Sequence, residues 1–372
     1  MGISFLHPYF TIAVITLIFI SISELRNGAY KPSKLTWLVI AFLIILTGFR
    51  NLMIDDLAYQ AMYNQFGSTM SFSIKEMKDN IWGVEWMYVL YGKIVYALKL
   101  PFTFFVILTA IFTITSKYLF ITKNSAYPAL SFLLYMFPTF FMGDMGHMRQ
   151  AIATAIVFIS FWTIKERKLW LFLLLMFIAF NFHNSSITFV LAYWLVKVPL
   201  KKWMIASLVG ISILLSPFEV YSSISLLENI TPKEVMQDYQ NYETIVHEDT
   251  GKIRLLDLQT FFYLYFILAF NKESEQRVPY YEYMRNLTVA GICLYFIFRN
   301  SPVFSTRLVS YYLLFSSVTI PNIIAAVSSI NLRRYLYLIM ICFVVFYYFV
   351  FATMGGKRSF TWETYSNWLI GG

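Results

Sequence analysis

The sequence predicts an all-α, polytopic integral membrane fold of about 12 transmembrane helices, with one further re-entrant or interfacial helix on the outer side. Three observations carry this expectation. Of 372 residues, 59 % are hydrophobic and only 13 % charged, whereas a soluble domain is about 25 % charged. The apolar residues fall into separate runs near the length that a spanning helix needs, roughly 20 residues. The basic residues behind the net charge of +9 sit in short clusters between those runs, as in a multi-span protein whose positive loops stay inside. This distribution argues against nucleic acid as a partner and makes the lipid bilayer the first one. The chain reads as a single multi-span membrane domain, residues 1–372.

The first run, 8–23, lacks a basic segment before it and meets Glu24 and Arg26 only afterwards. It reads as a retained span rather than a cleaved signal. Further spans are expected at 35–49, 102–121, 127–142, 150–164, 169–182, 187–198, 203–219, 255–270, 281–298, 308–327 and 335–354. Cys293 and Cys342 lie inside such runs, so neither a structural disulfide nor a metal site is expected of them.

Orientation follows from the loops. Arg26, Lys31 and Lys34 form one basic cluster, Lys117 and Lys123 another, and four more occur near 165–168, 197–202, 272–277 and 333–334. Keeping them inside requires an odd number of crossings between residues 34 and 117. The segment "WMYVLYGKIVYALKL", 86–100, is interrupted by Lys93 and Lys99 and closed by Pro101. It is therefore assigned to the outer surface and not to a crossing. Residues 50–101 become an outer loop containing this helix, and 220–254 a second, long outer loop.

The outward segments hold the polar residues that look out of place. "GFRNLMIDDLAY" (48–59) supplies Arg50, Asp55 and Asp56. Glu85 opens the interfacial helix. "GDMGHMRQAIA" brings Asp144, His147, Arg149 and Gln150 to the start of a span, "FNFHNSS" brings His183, and "FRNSPVFSTRLVSYY" brings Arg299 and Arg307. An ionisable group in hydrocarbon costs about 2.5–3.5 kcal/mol or more, so these side chains should face a watery cavity or one another. Simpler roles stand beside the functional one. Arg50 also fits a snorkelling residue, Asp55 and Asp56 fit helix caps or partners of Arg50, and Arg149 fits a partner of Asp144.

Arginine presents a planar fork that matches phosphate oxygens two at a time. A helix N-terminus bearing Arg149 and Gln150 adds free N–H groups and a favourable dipole. Carboxylates and histidines at the same depth are candidates for proton transfer. A lipid-linked diphosphate suits such a surface, with its head group at the interface and its tail among the helices. The four histidines are scattered and the acids show no ligand spacing, so no metal and no cofactor is expected.

Taken in order, "GFR" with "DDLAY", "VEWMYVLYGKI", "MRQAIA", "FNFHNSS" and "TRLVSYY" resemble motifs of the EpsG/Wzy-type polymerases of bacterial surface polysaccharides, from about residue 45 to 325. The resemblance implies a GT-C-like helical membrane enzyme of the bacterial cytoplasmic membrane. Such an enzyme joins undecaprenyl-diphosphate-linked oligosaccharide repeat units on the outer side, working beside a chain-length regulator and a flippase. By that resemblance Arg50, Asp55 and Tyr59 match the first motif, although its glycine is missing and Asp55 and Asp56 compete for the acidic place. Glu85, Arg149 with Gln150, His183 with Ser185, and Arg307 with Tyr311 match the others. Arg299 has no counterpart and stands on charge and position alone. The expected roles are diphosphate binding by Arg149 and Arg307, a supporting field from Arg50 or its orientation of Asp55, and proton acceptance by Asp55 or Glu85 ahead of His183. A flippase for lipid-linked sugars and an O-antigen ligase are the alternatives.

Overall fold

The computed structural model describes residues 8–29, 33–51, 55–218, 254–354 and 367–369. The loop expected over 220–254 lies outside the described residues except for Arg254. The multi-span domain contains two compact units, Met1–Val190 with Ser328–Gly372, and Leu191–Val327.

Among the described residues the fold is all-α. The first unit holds α1 (Pro8–Asn27), α2 (Lys34–Gly48), α3 (Asp56–Thr69), α4 (Ile74–Lys78), α5 (Trp86–Ala97), α6 (Phe102–Asn124), α7 (Pro128–Tyr135), α8 (Met148–Lys165) and α9 (Leu169–Phe180). The second holds α10 (Ala192–Leu195), α11 (Lys202–Leu215), α12 (Leu255–Arg277), α13 (Tyr281–Ile297), α14 (Pro302–Arg307), α15 (Ser310–Leu313) and α16 (Ser316–Ala326). The chain then returns to the first unit as α17 (Ile330–Met354).

Three helices among the described residues are long and apolar enough to cross a membrane: Pro8–Asn27, Phe102–Asn124 and Ile330–Val350. A fourth crossing arises if the pair Phe304–Leu313 and Ser316–Ala326, bent by 41°, is one span. This is a multi-pass membrane protein, although twelve uninterrupted spans do not appear among the described residues. Several expected runs are short or broken. The run at 127–142 passes from α7 into a π-helical stretch, Met136–Asp144, with non-helical backbone at Phe137. Pro138 follows, and it has no N–H to continue the ladder. The run at 187–198 begins as a 3-10 helix, Asn184–Leu191.

Within the first unit, α1 buries Phe10, Ala13, Val14, Leu17 and Ile20, while Ile12, Ile15 and Phe19 stay exposed. That split suits a helix with a protein face and a lipid face. Near its end, buried Glu24 accepts hydrogen bonds from the N–H groups of Ala129 and Leu130 at the start of α7, and from the Tyr337 hydroxyl of α17. A carboxylate at a helix N-terminus satisfies orphan donors and the helix dipole together.

The helix at 86–97 has 12 residues, too few to cross, and packs on α3 and α6. Its Lys93 is buried and donates to the Phe66 and Met70 carbonyls at the end of α3. The lysine that interrupts the apolar run is thus the cation closing the C-terminus of the neighbouring helix.

In the second unit, the hairpin of α12 and α13 carries a charge cluster at each end, built on buried Asp257 and buried Arg285. Asp257 accepts from Arg299 and from the Tyr295 hydroxyl at one end. Arg285 bonds Asn271, Glu275 and Asn286 at the other. Midway, Gly291 lets α13 and α15 touch backbone to backbone: a Cβ there would lie 2.6 Å from the Leu313 nitrogen. Gly291→Ala is expected to cost about 1–3 kcal/mol through overpacking. Gly210→Ala, where a Cβ meets nothing within 4 Å, should be neutral or gain up to about 1 kcal/mol of helix propensity. Thermal unfolding in detergent checks both, and equal melting of Gly291→Ala and wild type would contradict this contact.

Candidate active site

The first unit gathers its charged residues into two clusters. The deeper one begins where α2 ends. Arg50 follows the C-cap and turns its fork onto Asp56, the first residue of α3, with Nε–Oδ2 and Nη2–Oδ1 both 2.8 Å. Its remaining nitrogen donates to the carbonyl of Asp144 at 3.2 Å. The Asp144 carboxylate accepts from Lys117 of α6 at 2.6 Å and from the Tyr135 hydroxyl at 2.5 Å. Side-chain exposure is 3 % or less throughout both ion pairs. Two acids and two bases therefore neutralise each other out of water. Buried ions persist only with such partners.

This geometry corrects three expectations. Lys117 is not a loop charge marking the inner face but the interior counter-ion of Asp144. Arg149 does not pair with Asp144. Arg50 does not orient Asp55, because Asp56 occupies both arms of its fork.

The second cluster centres on Glu85, the N-cap of α5. Its carboxylate accepts from Arg149 Nη1 at 2.6 Å and from the Asn184 N–H at 2.9 Å, and lies 3.3 Å from His183 Nδ1. Burial pushes its pKa up, but Arg149, His183 and the Asn184 N–H outweigh burial and bring it from 4.5 to about 2. Glu85 is thus a fixed anion and a poor proton acceptor at neutral pH. Arg149 sits in the first turn of α8. It also hydrogen-bonds the Tyr59 hydroxyl, its Nε is buried without a partner, and its side chain keeps 21 % exposure. Beside it, Tyr88 packs edge-on to Tyr59 at 5.9 Å, its own hydroxyl buried and unbonded.

Asp55 and His147 are the accessible pair, with Oδ2 and Nε2 4.0 Å apart and side chains 40 % and 35 % exposed. A carboxylate near an imidazole in contact with solvent is suited to take up a proton.

The structure therefore brings Glu85, Arg149 and His183 into one contact cluster and places Asp55 with His147. Gln150 is buried on α8. Arg299, Arg307 and Tyr311 belong to the second unit. There the Arg299 fork is engaged by Asp257, with Nη2–Oδ2 2.6 Å, Arg307 ends α14, and Tyr311 is fully buried. His147 stood among the outward polar residues of the sequence, but its pairing with Asp55 was not anticipated. The interior role of Lys117 was missed, although a lysine inside the 102–121 run already asks for a counter-ion. Among the described residues no group of three His, Cys, Asp or Glu side chains is placed to hold a metal ion.

A family profile described as the EpsG family matches residues 34–367. No curated protein and no solved structure matches the chain.

Two outcomes follow from the clusters. Asp56→Asn leaves Arg50 buried without a counter-ion and should cost about 3–5 kcal/mol, whereas Arg50→Met with Asp56→Leu should recover most of that. Comparing their unfolding midpoints checks this, and an equal loss in the single and double variants would contradict it. Glu85 has a lowered folded pKa, so its contribution is complete above 4.5 and is lost as pH falls toward 2. Melting measured from pH 7 to pH 2 should show a steeper acid fall in wild type than in Glu85→Gln, and parallel curves would refute the clamp.

Proposed function

The chain belongs to the EpsG family, and from that premise we propose that it is a membrane glycosyltransferase of exopolysaccharide biosynthesis. It joins oligosaccharide repeat units carried on undecaprenyl diphosphate, on the outer side of the bacterial cytoplasmic membrane. The observation that carries the reading is Arg149, held in the first turn of α8 with 21 % of its side chain exposed. Glu85 fixes one arm, Tyr59 and His183 stand beside it, and part of the side chain remains accessible.

In this reaction the hydroxyl oxygen of the acceptor saccharide attacks the anomeric carbon of the donor. The bond from that carbon to the diphosphate oxygen breaks, and the lipid diphosphate departs with the electron pair. Arg149 binds the phosphate and stabilises its developing charge, the task for which a preorganised donor is most effective. The hydroxyl proton passes to Asp55, with His147 as its neighbour. Glu85 positions Arg149 and takes no proton, since its partners hold it ionised. Arg307 is proposed, on sequence grounds, to contact the same diphosphate.

Purified protein supplied with a synthetic lipid-linked repeat unit tests the reading. A ladder of products supports the polymerase. Consumption only when a lipid A core acceptor is added would identify a ligase, and binding without turnover a transporter. Arg149→Lys keeps the charge and loses the planar fork. It should lower the rate about 100-fold or more while the protein still inserts, as should Arg307→Lys. Asp55→Asn should remove the base without altering lipid binding. Ladders of normal length and rate from Arg149→Lys would sink the diphosphate role.

A further inference from the structure

The first unit carries a groove of about 500 Å³ between α3, α4 and the turn leading into α5. It lies within 50–101, the segment whose expected place is the outer face. Gln65 and Thr69 line it from α3, Lys75 and Asp79 from α4 and its C-cap, and Ile81 and Trp82 from the turn. The turn is built to hold its shape. The buried Asn80 side chain donates to the carbonyls of Met77 and Val84, and accepts from the N–H groups of Trp82 and Val84. Gly83 adopts φ +58°, a conformation that glycine takes without steric cost.

This rigid turn leaves Ile81 80 % and Trp82 38 % exposed. The indole N–H donates to Gln65 Oε1 at 2.5 Å, so the ring's orientation is set. Lys75 and Asp79 line the groove, and among the described residues their side chains have no hydrogen-bond or ion-pair partner. An oriented aromatic ring beside uncommitted polar groups in a concavity suits a ligand with one apolar face and a rim of hydroxyls. A sugar ring has that form. An anchor to lipid would call for a convex apolar surface, not a concave wall bearing both signs of charge.

We propose that this groove is an oligosaccharide subsite, with a sugar ring on the Trp82 indole and its hydroxyls on Gln65, Lys75 and Asp79. The consequence for chemistry is proximity. Trp82 and Glu85 are three residues apart, so their Cα atoms lie within about 11 Å, a span of one or two sugar units from groove to carboxylate cluster. The identity of the bound glycan as acceptor or nascent product rests on the polymerase reading above.

The test uses the full chain in nanodiscs. The probe is oligosaccharides released by mild acid from the surface polysaccharide of the encoding strain, free of lipid and phosphate. Their binding is followed by saturation-transfer NMR and titration. Wild type should bind, Trp82→Ala should weaken binding about tenfold or more, and Trp82→Phe should retain most of it. Gly210→Ala, in the second unit and with open space at its Cβ, should bind these probes as wild type does. No binding by wild type, equal binding by Trp82→Ala, or an effect of Trp82→Ala confined to membrane insertion would overturn the subsite. Trp82-dependent binding without any ladder from lipid-linked repeats would instead overturn the polymerase reading and leave the subsite standing.

Discussion

A charge in an apolar interior requires a counter-charge, and this requirement organises the first unit. The buried contacts there join parts of the chain that are distant in sequence or separated by a break, through ion pairs at Asp56, Asp144 and Glu85 and through hydrogen bonds at Glu24. Glu24 draws α7 against α1, Asp144 ties the end of the π-helical stretch to α6, and Glu85 gathers α5, α8 and the turn after α9. Apolar packing alone would let such helices slide, because one face of leucines and phenylalanines resembles another. A carboxylate with two or three directed donors fits in one arrangement only.

The same requirement divides the labour among acidic residues that look alike in the sequence. Asp56, Asp144 and Glu85 are buried and committed to cations. Asp55, next to Asp56 in the chain, faces solvent and His147. One peptide bond thus separates a residue that holds the fold from one suited to react. Arg149 is anchored to Glu85 through one arm, and 21 % of its side chain stays exposed.

The class of fold was legible because composition and run spacing are properties of the chain itself. The short, non-crossing character of the 86–97 helix was legible for the same reason, since Lys93, Lys99 and Pro101 interrupt the run locally. Motif order led to the family, and the Glu85, Arg149 and His183 motifs meet in the structure. The partners were not legible. Whether Arg50 chooses Asp55 or Asp56, and whether Asp144 chooses Arg149 or Lys117, depends on three-dimensional distances that no local pattern encodes. Helix interruption was similarly hidden: Pro138 hinted at a break, but the π-helical wind around it depends on tertiary packing.

That wind has a consequence for how the protein can change. A continuous helix would pass an added residue on as a turn of about 100°, but the Met136–Asp144 stretch ends in the non-helical turn of Met145, Gly146 and His147 before α8 begins. Asp144 at its end is pinned by Lys117 and Tyr135, so a change of length has to be taken up either ahead of Asp144 or within that turn. The turn thus uncouples the register of α8, which carries Arg149, from the winding that precedes it.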